Sequence, residues 1–169
     1  YEDKAERLLA ELSLHGVDLV LADVPAMPTA GAGVFNHLLG ECGVSVFAAP
    51  GLARRYGPGF PRSLTGAPML LPTSNLALRR ALDQWFDAQG VWPEVRAEIE
   101  DSALLKTFGG AGVGLFLAPT MVSAAICRQY GVENLGTLGG VHERIYLITA
   151  QRKIKHPAVA AILEQASLT

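Results

Sequence analysis

The sequence predicts an α/β protein made of two lobes, with the chain passing from one lobe to the other and back. Short apolar runs of strand length, such as residues 17–22 (VDLVLA) and 113–118 (VGLFLA), alternate with amphipathic helical patterns. This alternation is typical of parallel α/β units. Residues 69–118 contain a complete β-α-β-α-β pattern, whereas the helix–strand unit at the start of the chain and the strand–helix unit at its end are each too small to form a core alone. The two end units are therefore expected to share one lobe.

The two predicted crossings are strands flanked by turn or charged residues. Residues 40–51 (GECGVSVFAAPG) form a β-branched run that opens at a Glu-Cys pair and closes at a Pro-Gly pair. Residues 144–150 (RIYLITA) form its counterpart further along the chain. We therefore assign residues 1–42 and 145–169 to lobe I and residues 43–144 to lobe II.

Lobe I is predicted to begin with a helix over residues 2–15, in which apolar residues recur at helical spacing. Gly16 is the expected left-handed stop of this helix. After the strand at 17–22, residues 26–36 are predicted to form a loop because of their Pro and Gly content. A last helix is expected to open at His156 and Pro157.

Lobe II is predicted to alternate strands and helices after an irregular connection. In chain order we first expect a connection over 52–66, a strand at 69–72, an N-cap cluster at 73–75 and a helix over 76–89. A strand at 94–99 and a helix capped by Asp101 and Ser102 follow, and this helix breaks at the glycine pair 109–110. The last elements are a strand at 113–118, a helix from Pro119 to about Tyr130 and a weak strand at 132–138.

Composition excludes several classes of protein. Of the 169 residues, 50% are hydrophobic and 18% are charged, so the chain is a folded globular one. The net charge of −2, with no basic cluster longer than an arginine pair, makes a poor nucleic-acid surface. The two cysteines, Cys42 and Cys127, have no metal or redox spacing, which favours reduced thiols in the cytosol. No apolar run approaches the length of a membrane span.

Motifs of catalysis and nucleotide binding are not present in the sequence. The run 109–114 (GGAGVG) lacks the third glycine of a dinucleotide fingerprint and precedes a strand, so it is interpreted as a tight helix-to-strand turn. No Ser or Cys lies in a nucleophile elbow. We expect no enzymatic activity and no cofactor.

The candidate binding residues lie where predicted strands end and helices begin. In an open parallel sheet, ligands bind beyond the carboxyl ends of the strands. Helix N-termini there present free N–H groups, although a Ser or Thr can equally serve as a plain cap. The candidate cleft residues are Asp23, Pro25, Thr73, Ser74, Asn75, Asp101, Ser102 and Thr120.

Carboxylates also gather at these ends and at the crossings. Hard cations prefer clustered oxygen ligands, so Asp23, Glu41 and Asp101 are a possible cation set, with capping and solvation as the alternative roles. The residues beside the two crossings form the predicted hinge: Glu41, Cys42, Gly43, His142 and Glu143. Cys42 is interpreted there as a small packed residue.

Four segments carry a resemblance to a known family. They are residues 8–25 (LLAELSLHGVDLVLADVP), 40–46 (GECGVSV), 101–110 (DSALLKTFGG) with 118–120 (APT), and 156–159 (HPAV). The chain resembles the effector-binding domain of the LysR-type transcriptional regulators. These domains are two-lobed, similar to periplasmic binding proteins, and joined by two crossover strands. Within that family, the closest resemblance is to sodium-responsive activators of sodium/proton antiporter expression.

The resemblance implies a sensor of Na⁺ or Li⁺ in a cytoplasmic transcriptional activator that forms a dimer or tetramer. DNA binding would reside in an N-terminal winged helix-turn-helix that these residues do not contain, and the family's first strand and helix also precede Tyr1. Two alternatives remain open: a sensor of a small organic anion bound at Thr73, Ser74 and Asn75, and a transport-type solute-binding protein. No membrane partner is expected.

Overall fold

The computed structural model describes residues 1–27 and 33–150, together with Pro157 and Ala161. Its helices and strands, in chain order, are α1 (Ala5–Ser13), β1 (Val20–Ala22), β2 (Phe35–Ala48), α2 (Pro50–Tyr56), a 3₁₀ turn (Arg62–Leu64), β3 (Pro68–Leu71), α3 (Ala77–Gln89), β4 (Glu94–Glu98), α4 (Ser102–Gly110), β5 (Phe116–Pro119), a 3₁₀ turn (Thr120–Val122), α5 (Ser123–Tyr130) and β6 (Glu133–Thr149). The helix predicted to open at His156 and Pro157 lies almost entirely outside the described residues.

The chain divides into two compact units. Unit 1 comprises Tyr1–Glu41 and Arg144–Thr169, and unit 2 comprises Cys42–Glu143. The sequence placed these boundaries after Cys42 and after Arg144. Strands β2 and β6 each run through a boundary and are hydrogen-bonded neighbours. Within the described part of the chain, no helix is long and apolar enough to cross a membrane.

Unit 1 packs helix α1 against a short antiparallel pairing. Strand β1 pairs with the end of β6, with Val20 opposite Ile148 and Ala22 opposite Tyr146. Leu12 of α1 is fully buried against Val20 and Ile148. The apolar face of α1 therefore forms at the spacing that the sequence predicts.

The C-terminal end of α1 differs from the prediction at one position. The left-handed residue is His15, with φ of 60°, rather than Gly16. The His15 N–H donates to the Leu12 carbonyl at 3.2 Å, and the Gly16 N–H donates to the Glu11 carbonyl at 2.8 Å. This pair of bonds is a Schellman motif, which places its left-handed residue one position before the glycine.

Unit 2 contains a parallel arrangement centred on β3. Strand β4 pairs with β3 in parallel, with Pro68 opposite Glu94 and Leu71 opposite Glu98. On the other side, the Leu70 N–H donates to the Leu115 carbonyl at 2.8 Å. The core here holds fully buried side chains from several elements: Val44, Val46, Leu64, Met69, Leu71, Leu82 and Leu115.

Two regions of unit 2 and its borders differ from their predictions. The connection predicted over 52–66 contains α2, whose helical signal of Ala53 and Tyr56 is masked by the Arg pair and Gly residues around them. The strands predicted at 132–138 and 144–150 are one strand, β6, because backbone pairing continues through the glycines that interrupt its apolar pattern. Strand β5 also pairs antiparallel with β2, with Phe47 opposite Phe116.

The predicted turn between α4 and β5 is confirmed, and its first glycine has a packing role. Helix α4 ends at Gly110, and Gly112 has φ of 79°. The ring of Phe116 stacks on Phe47 with centroids 5.5 Å apart. A Cβ built on Gly109 would lie 2.0 Å from Cδ1 of Phe116.

Replacing Gly109 with Ala should therefore strongly destabilise unit 2. The added methyl must displace a buried ring, and such overpacking lowers the free energy of unfolding by about 3 kcal/mol. Gly51→Ala is the matched control, because nothing lies within 4 Å of a Cβ there and the site is helical. The control should raise stability by about 0.5–1 kcal/mol. Urea unfolding of both variants measures the difference, and equal stabilities would contradict the packing argument.

Candidate functional site

The carboxyl ends of the parallel strands of unit 2 bring three predicted segments to one edge. Thr73 follows β3, Asp101 follows β4 and Thr120 follows β5. Because β3 pairs with β4 and with Leu115, these strand ends are neighbours. The Asn75 amide approaches the Glu100 carboxylate at 3.5 Å, which joins the first two segments. The site residues predicted within unit 2 therefore follow the carboxyl ends of strands in two sheets, β3 with β4 and β5 with β2, which one parallel bridge between Met69 and Leu115 connects.

The segment at 73–75 is not the helix cap that the sequence predicts. The N-cap of α3 is Leu76, which has no side-chain cap. The Leu76 N–H instead donates to the Thr73 carbonyl at 3.1 Å, so a turn separates the polar cluster from the helix. The Thr73 hydroxyl oxygen is buried and makes no hydrogen bond among the described residues. Burying a hydroxyl without a hydrogen-bond partner costs free energy. A ligand atom that forms a hydrogen bond with the Thr73 hydroxyl would remove this cost, which favours binding.

Arg79 holds the chain just before this turn. Its guanidinium donates to the Pro72 carbonyl at 2.9 Å, to the Glu98 carboxylate at 2.7 Å and to the Asp83 carboxylate at 2.9 Å. Burial lowers the pKa of Arg79, but the hydrogen bonds with the two carboxylates outweigh burial, so the pKa is raised. Sequence reasoning missed Arg79. The carboxylates of Asp83 and Glu98, which lie near the start of α3, could have suggested that this arginine is paired.

Asp101 is the predicted cap of α4. Its carboxylate accepts the N–H groups of Ala103 at 2.7 Å and Leu104 at 3.0 Å. The bond from Leu104, followed by that from Ala103, holds the pKa of the Asp101 carboxyl below its usual value. Ser102 lies beside it, and its hydroxyl accepts the Lys106 ammonium at 3.4 Å. The capping role is confirmed, and one oxygen of Asp101 is already engaged.

Thr120 belongs to a group of three hydroxyls. Its Oγ1 lies 2.8 Å from Oγ of Ser45, and the same Ser45 oxygen lies 3.0 Å from Oγ1 of Thr137. Ser45 is fully buried on β2. Sequence reasoning assigned no role to Ser45, although a serine inside the apolar run 44–48 is a signal that a partner is needed.

The predicted residues of unit 1 are exposed. Asp23 and Pro25 follow β1 and both face solvent. The adjoining backbone is fixed by Asn36, whose side-chain oxygen accepts the Ala26 N–H and whose amide donates to the Ala26 carbonyl, each at 2.9 Å. Sequence reasoning placed Asn36 in a loop and missed this anchor.

The predicted hinge residues occupy β2 and β6. Arg144 donates from Nε to the Glu41 carboxylate at 2.5 Å, and this bond raises the pKa of Arg144. Burial, followed by the charge of Glu143, raises the pKa of the Cys42 thiol, which suppresses its reactive thiolate. His142 is exposed on β6. A hinge movement at these residues remains a prediction.

The predicted cation set is not assembled as a carboxylate cluster. In the part of the chain that the structure describes, no group of three or more His, Cys, Asp or Glu side chains could hold a metal ion. Glu41 is bonded to Arg144, and Asp101 caps α4. Other oxygen atoms of the strand ends, chiefly hydroxyls, are left as the polar groups of the site.

Residues 1–167 match the family described as the LysR substrate binding domain. The chain belongs to this family. It is 35% identical over 162 residues to the transcriptional activator protein NhaR of Escherichia coli K12, an alignment that covers 96% of the chain and 53% of NhaR. The chain thus spans about half the length of this relative.

Solved structures support the two-lobed α/β fold class. The full-length CbnR in its complex with target DNA superposes with a TM-score of 0.75 at 15% identity, covering 99% of this chain and 57% of CbnR. The effector-binding domain of QuiR, solved with shikimate, gives a TM-score of 0.68 at 16% identity, covering 99% of this chain and 78% of that domain. The predicted fold class and family are therefore confirmed.

The cap at Asp101 makes stability depend on pH in a defined direction. Its pKa is lowered from 3.8, so its contribution is complete above that value and is lost as pH falls through the lower folded pKa. Asp101→Asn is the matched variant, because Asn also caps helices but does not titrate in this range.

The excess melting temperature of the natural protein over Asp101→Asn should stay constant above about pH 5 and shrink in acid. Thermal unfolding from about pH 2 to about pH 6 measures it, and the other carboxyls cancel in the difference. A difference that stays flat across the range would contradict the role of the charged cap.

Proposed function

We propose that this chain is the effector-sensing part of a transcriptional activator and has no catalytic activity of its own. The observation that carries this proposal is the family match over residues 1–167 together with 35% identity to an activator along 96% of the chain. Domains of this kind hold residues for binding at strand ends, and unit 2 presents such an edge. The transport-type alternative is disfavoured because the matched relatives are regulators.

DNA binding is proposed to reside in a part of the full protein outside this chain. The chain spans 53% of NhaR, and CbnR was solved at full length with its target DNA. We propose a homodimer or tetramer acting in the cytoplasm, since a regulator must reach the chromosome. The two units described above are the proposed lobes I and II, and β2 with β6 is their proposed hinge.

An effector can act only through different affinities for two states of the domain. The segments at Thr73–Asn75, Asp101–Ser102 and Thr120 are the proposed contacts in unit 2, and Asp23 and Pro25 are those in unit 1. Loops that follow strands can change position while the sheet stays fixed, so binding there can alter the domain without unfolding it.

The first effector class is a small monovalent cation, Na⁺ or Li⁺, and the proposed output is control of sodium/proton antiporter expression. Its support is the resemblance to the sodium-responsive branch and the identity to NhaR. Asp23, Glu41 and Asp101 are the proposed carboxylates. Each would act with hydroxyl or carbonyl oxygens, because hard cations take several oxygen ligands.

Thermal unfolding in NaCl, LiCl and KCl at equal ionic strength tests a cation site. Binding to the folded state stabilises it by RT ln(1 + [L]/Kd), about 2.7 kcal/mol at one hundred times Kd. The melting temperature should therefore rise in NaCl and LiCl relative to KCl. Identical transitions in the three salts would count against a direct cation site in this chain.

The second effector class is a small organic anion at Thr73, Ser74 and Asn75. The buried Thr73 hydroxyl, which has no hydrogen-bond partner among the described residues, and the start of α3, where none of them provides a side-chain cap, favour it specifically. Backbone N–H groups at a helix start attract anions, and a hydroxyl can donate to a carboxylate. The shikimate complex of QuiR shows that one similar domain takes an organic acid.

Shikimate is a suitable probe for this second class, and sulfate tests whether the same segment takes an inorganic anion. Each should raise the melting temperature of the natural protein, and a double variant Thr73→Ala with Ser74→Ala should lose that increase. Thr107→Ala is the control, because the Thr107 hydroxyl donates to the Ala103 carbonyl within its own helix. Equal stabilisation of the double variant and the control would refute this placement.

A further inference from the structure

The three hydroxyls of unit 2 belong to three separate elements. Ser45 lies on β2, Thr137 lies on β6, and Thr120 begins the 3₁₀ turn after β5. Ser45 is fully buried and occupies the middle of the group, 2.8 Å from Thr120 and 3.0 Å from Thr137. Its hydroxyl is therefore the link between the other two.

The number of hydrogens restricts how this chain of hydroxyls can be arranged. Each hydroxyl has one hydrogen to donate and two lone pairs to accept. In one arrangement Thr137 donates to Ser45 and Ser45 donates to Thr120, so the hydrogen of Thr120 remains for another acceptor. In the others Thr120 donates to Ser45, which either donates to Thr137 or accepts from it as well, and the lone pairs of the Thr120 oxygen remain for a donor or a cation.

We propose that Ser45 is a positioning residue that fixes the rotamer of Thr120 and sets the direction of its hydroxyl hydrogen. The proposal rests on the proposed function to the extent that Thr120 contacts the effector. Ser45 itself is fully buried, so it acts through Thr120. A serine in the middle of a buried apolar strand is costly unless it is hydrogen-bonded, and the two bonds to Thr120 and Thr137 satisfy it.

Gly43 provides the space in which this group forms. A Cβ at Gly43 would lie 3.2 Å from Cγ2 of Thr137 and 3.4 Å from Oγ1 of Thr120. Both threonines thus pack against the same glycine, which is a predicted hinge residue and directly follows Cys42, the first residue of unit 2. A residue larger than glycine at position 43 would displace Thr120 and Thr137, whose hydroxyls are joined by Ser45.

The class of ligand at Thr120 is also linked to the hydrogen bond between Ser45 and Thr137. An anion at Thr120 needs a donated hydrogen, which requires Thr137 to donate to Ser45. A cation at Thr120 needs a lone pair of its oxygen, which every arrangement leaves available, so it places no requirement on Thr137. Because Thr137 lies on β6, an anion at Thr120 fixes the direction of a hydrogen bond from a crossover strand, whereas a cation does not.

The deciding experiment measures the rotamer of Thr120 in the ligand-free chain by NMR, through three-bond couplings from Cγ2 to the backbone nitrogen and carbonyl carbon. The natural protein should show one χ1 rotamer. Ser45→Ala should show averaging among rotamers, because both bonds are lost. Thr137→Val should keep a single rotamer, since the bond between Ser45 and Thr120 remains.

Two further variants keep this test decisive. Ser63→Ala is the matched control, because the Ser63 hydroxyl bonds the Tyr56 carbonyl elsewhere in unit 2. Ser45→Cys keeps the side-chain volume and weakens the bond, so it replaces Ser45→Ala if that variant does not fold. A single Thr120 rotamer in the Ser45 variant, or equal averaging in Ser63→Ala, would overturn the proposal.

Ligand binding gives a second readout that a purely structural role would not move. Sulfate affinity should fall about fivefold in Ser45→Ala, and it should be retained in Thr137→Val, where Ser45 has only Thr120 left to accept its hydrogen. Failure of both sulfate and Na⁺ to bind the natural protein would count against the proposed function. The NMR measurement of the Thr120 rotamer would still decide the role of Ser45 in that case. Equal sulfate affinity in Ser45→Ala and the natural protein would overturn the proposed positioning.

Discussion

The site depends on the parallel pairing of β3 with β4 and on one parallel bridge from β3 to Leu115, the residue that precedes β5. Leu70 and Met69 are fully buried, and the Leu70 N–H bond to Leu115 fixes β5 against β3 while β4 pairs on the opposite edge. Parallel pairing puts the carboxyl ends of β3 and β4 at one edge, and the parallel bridge at Leu115 runs β5 in the same direction as β3. A shift of one residue would turn every side chain to the opposite face, so the buried core also fixes where Thr73 and Thr120 lie.

Much of this arrangement could be predicted from the sequence, because it follows from local patterns. The parallel units, the cap at Asp101 and the glycine turn after α4 are encoded within a few residues of one another. The family match confirms the fold class that these patterns indicate. The predictions missed helix α2 and divided β6 into two strands. Neighbouring polar residues and glycines hide the local signal of these elements, which tertiary contacts stabilise.

The contacts that sequence reasoning missed join positions that are distant in the sequence. Ser45 and Thr137 are 92 residues apart, and Glu41 and Arg144 are 103 residues apart. No local spacing reveals such pairs. The incorrect prediction of a helix cap at Thr73–Asn75 has a related cause. These residue types are typical of caps, but the hydrogen bond from Leu76 to Thr73 closes a turn, and α3 therefore begins after the cluster. Polar residues in apolar runs are the one signal that could have identified Ser45.

Charge pairing narrows the chemistry that remains for an effector. The Glu41 carboxylate is bonded to Arg144, and the Asp101 carboxylate is stabilised by the N-terminus of α4, so a cation would have to compete with existing partners for either group. Hydroxyls have no such restriction, since each can donate to an anion or offer its oxygen to a cation. The choice between the two effector classes therefore falls on Thr73, which has no partner among the described residues, and on Thr120, whose hydrogen Ser45 directs.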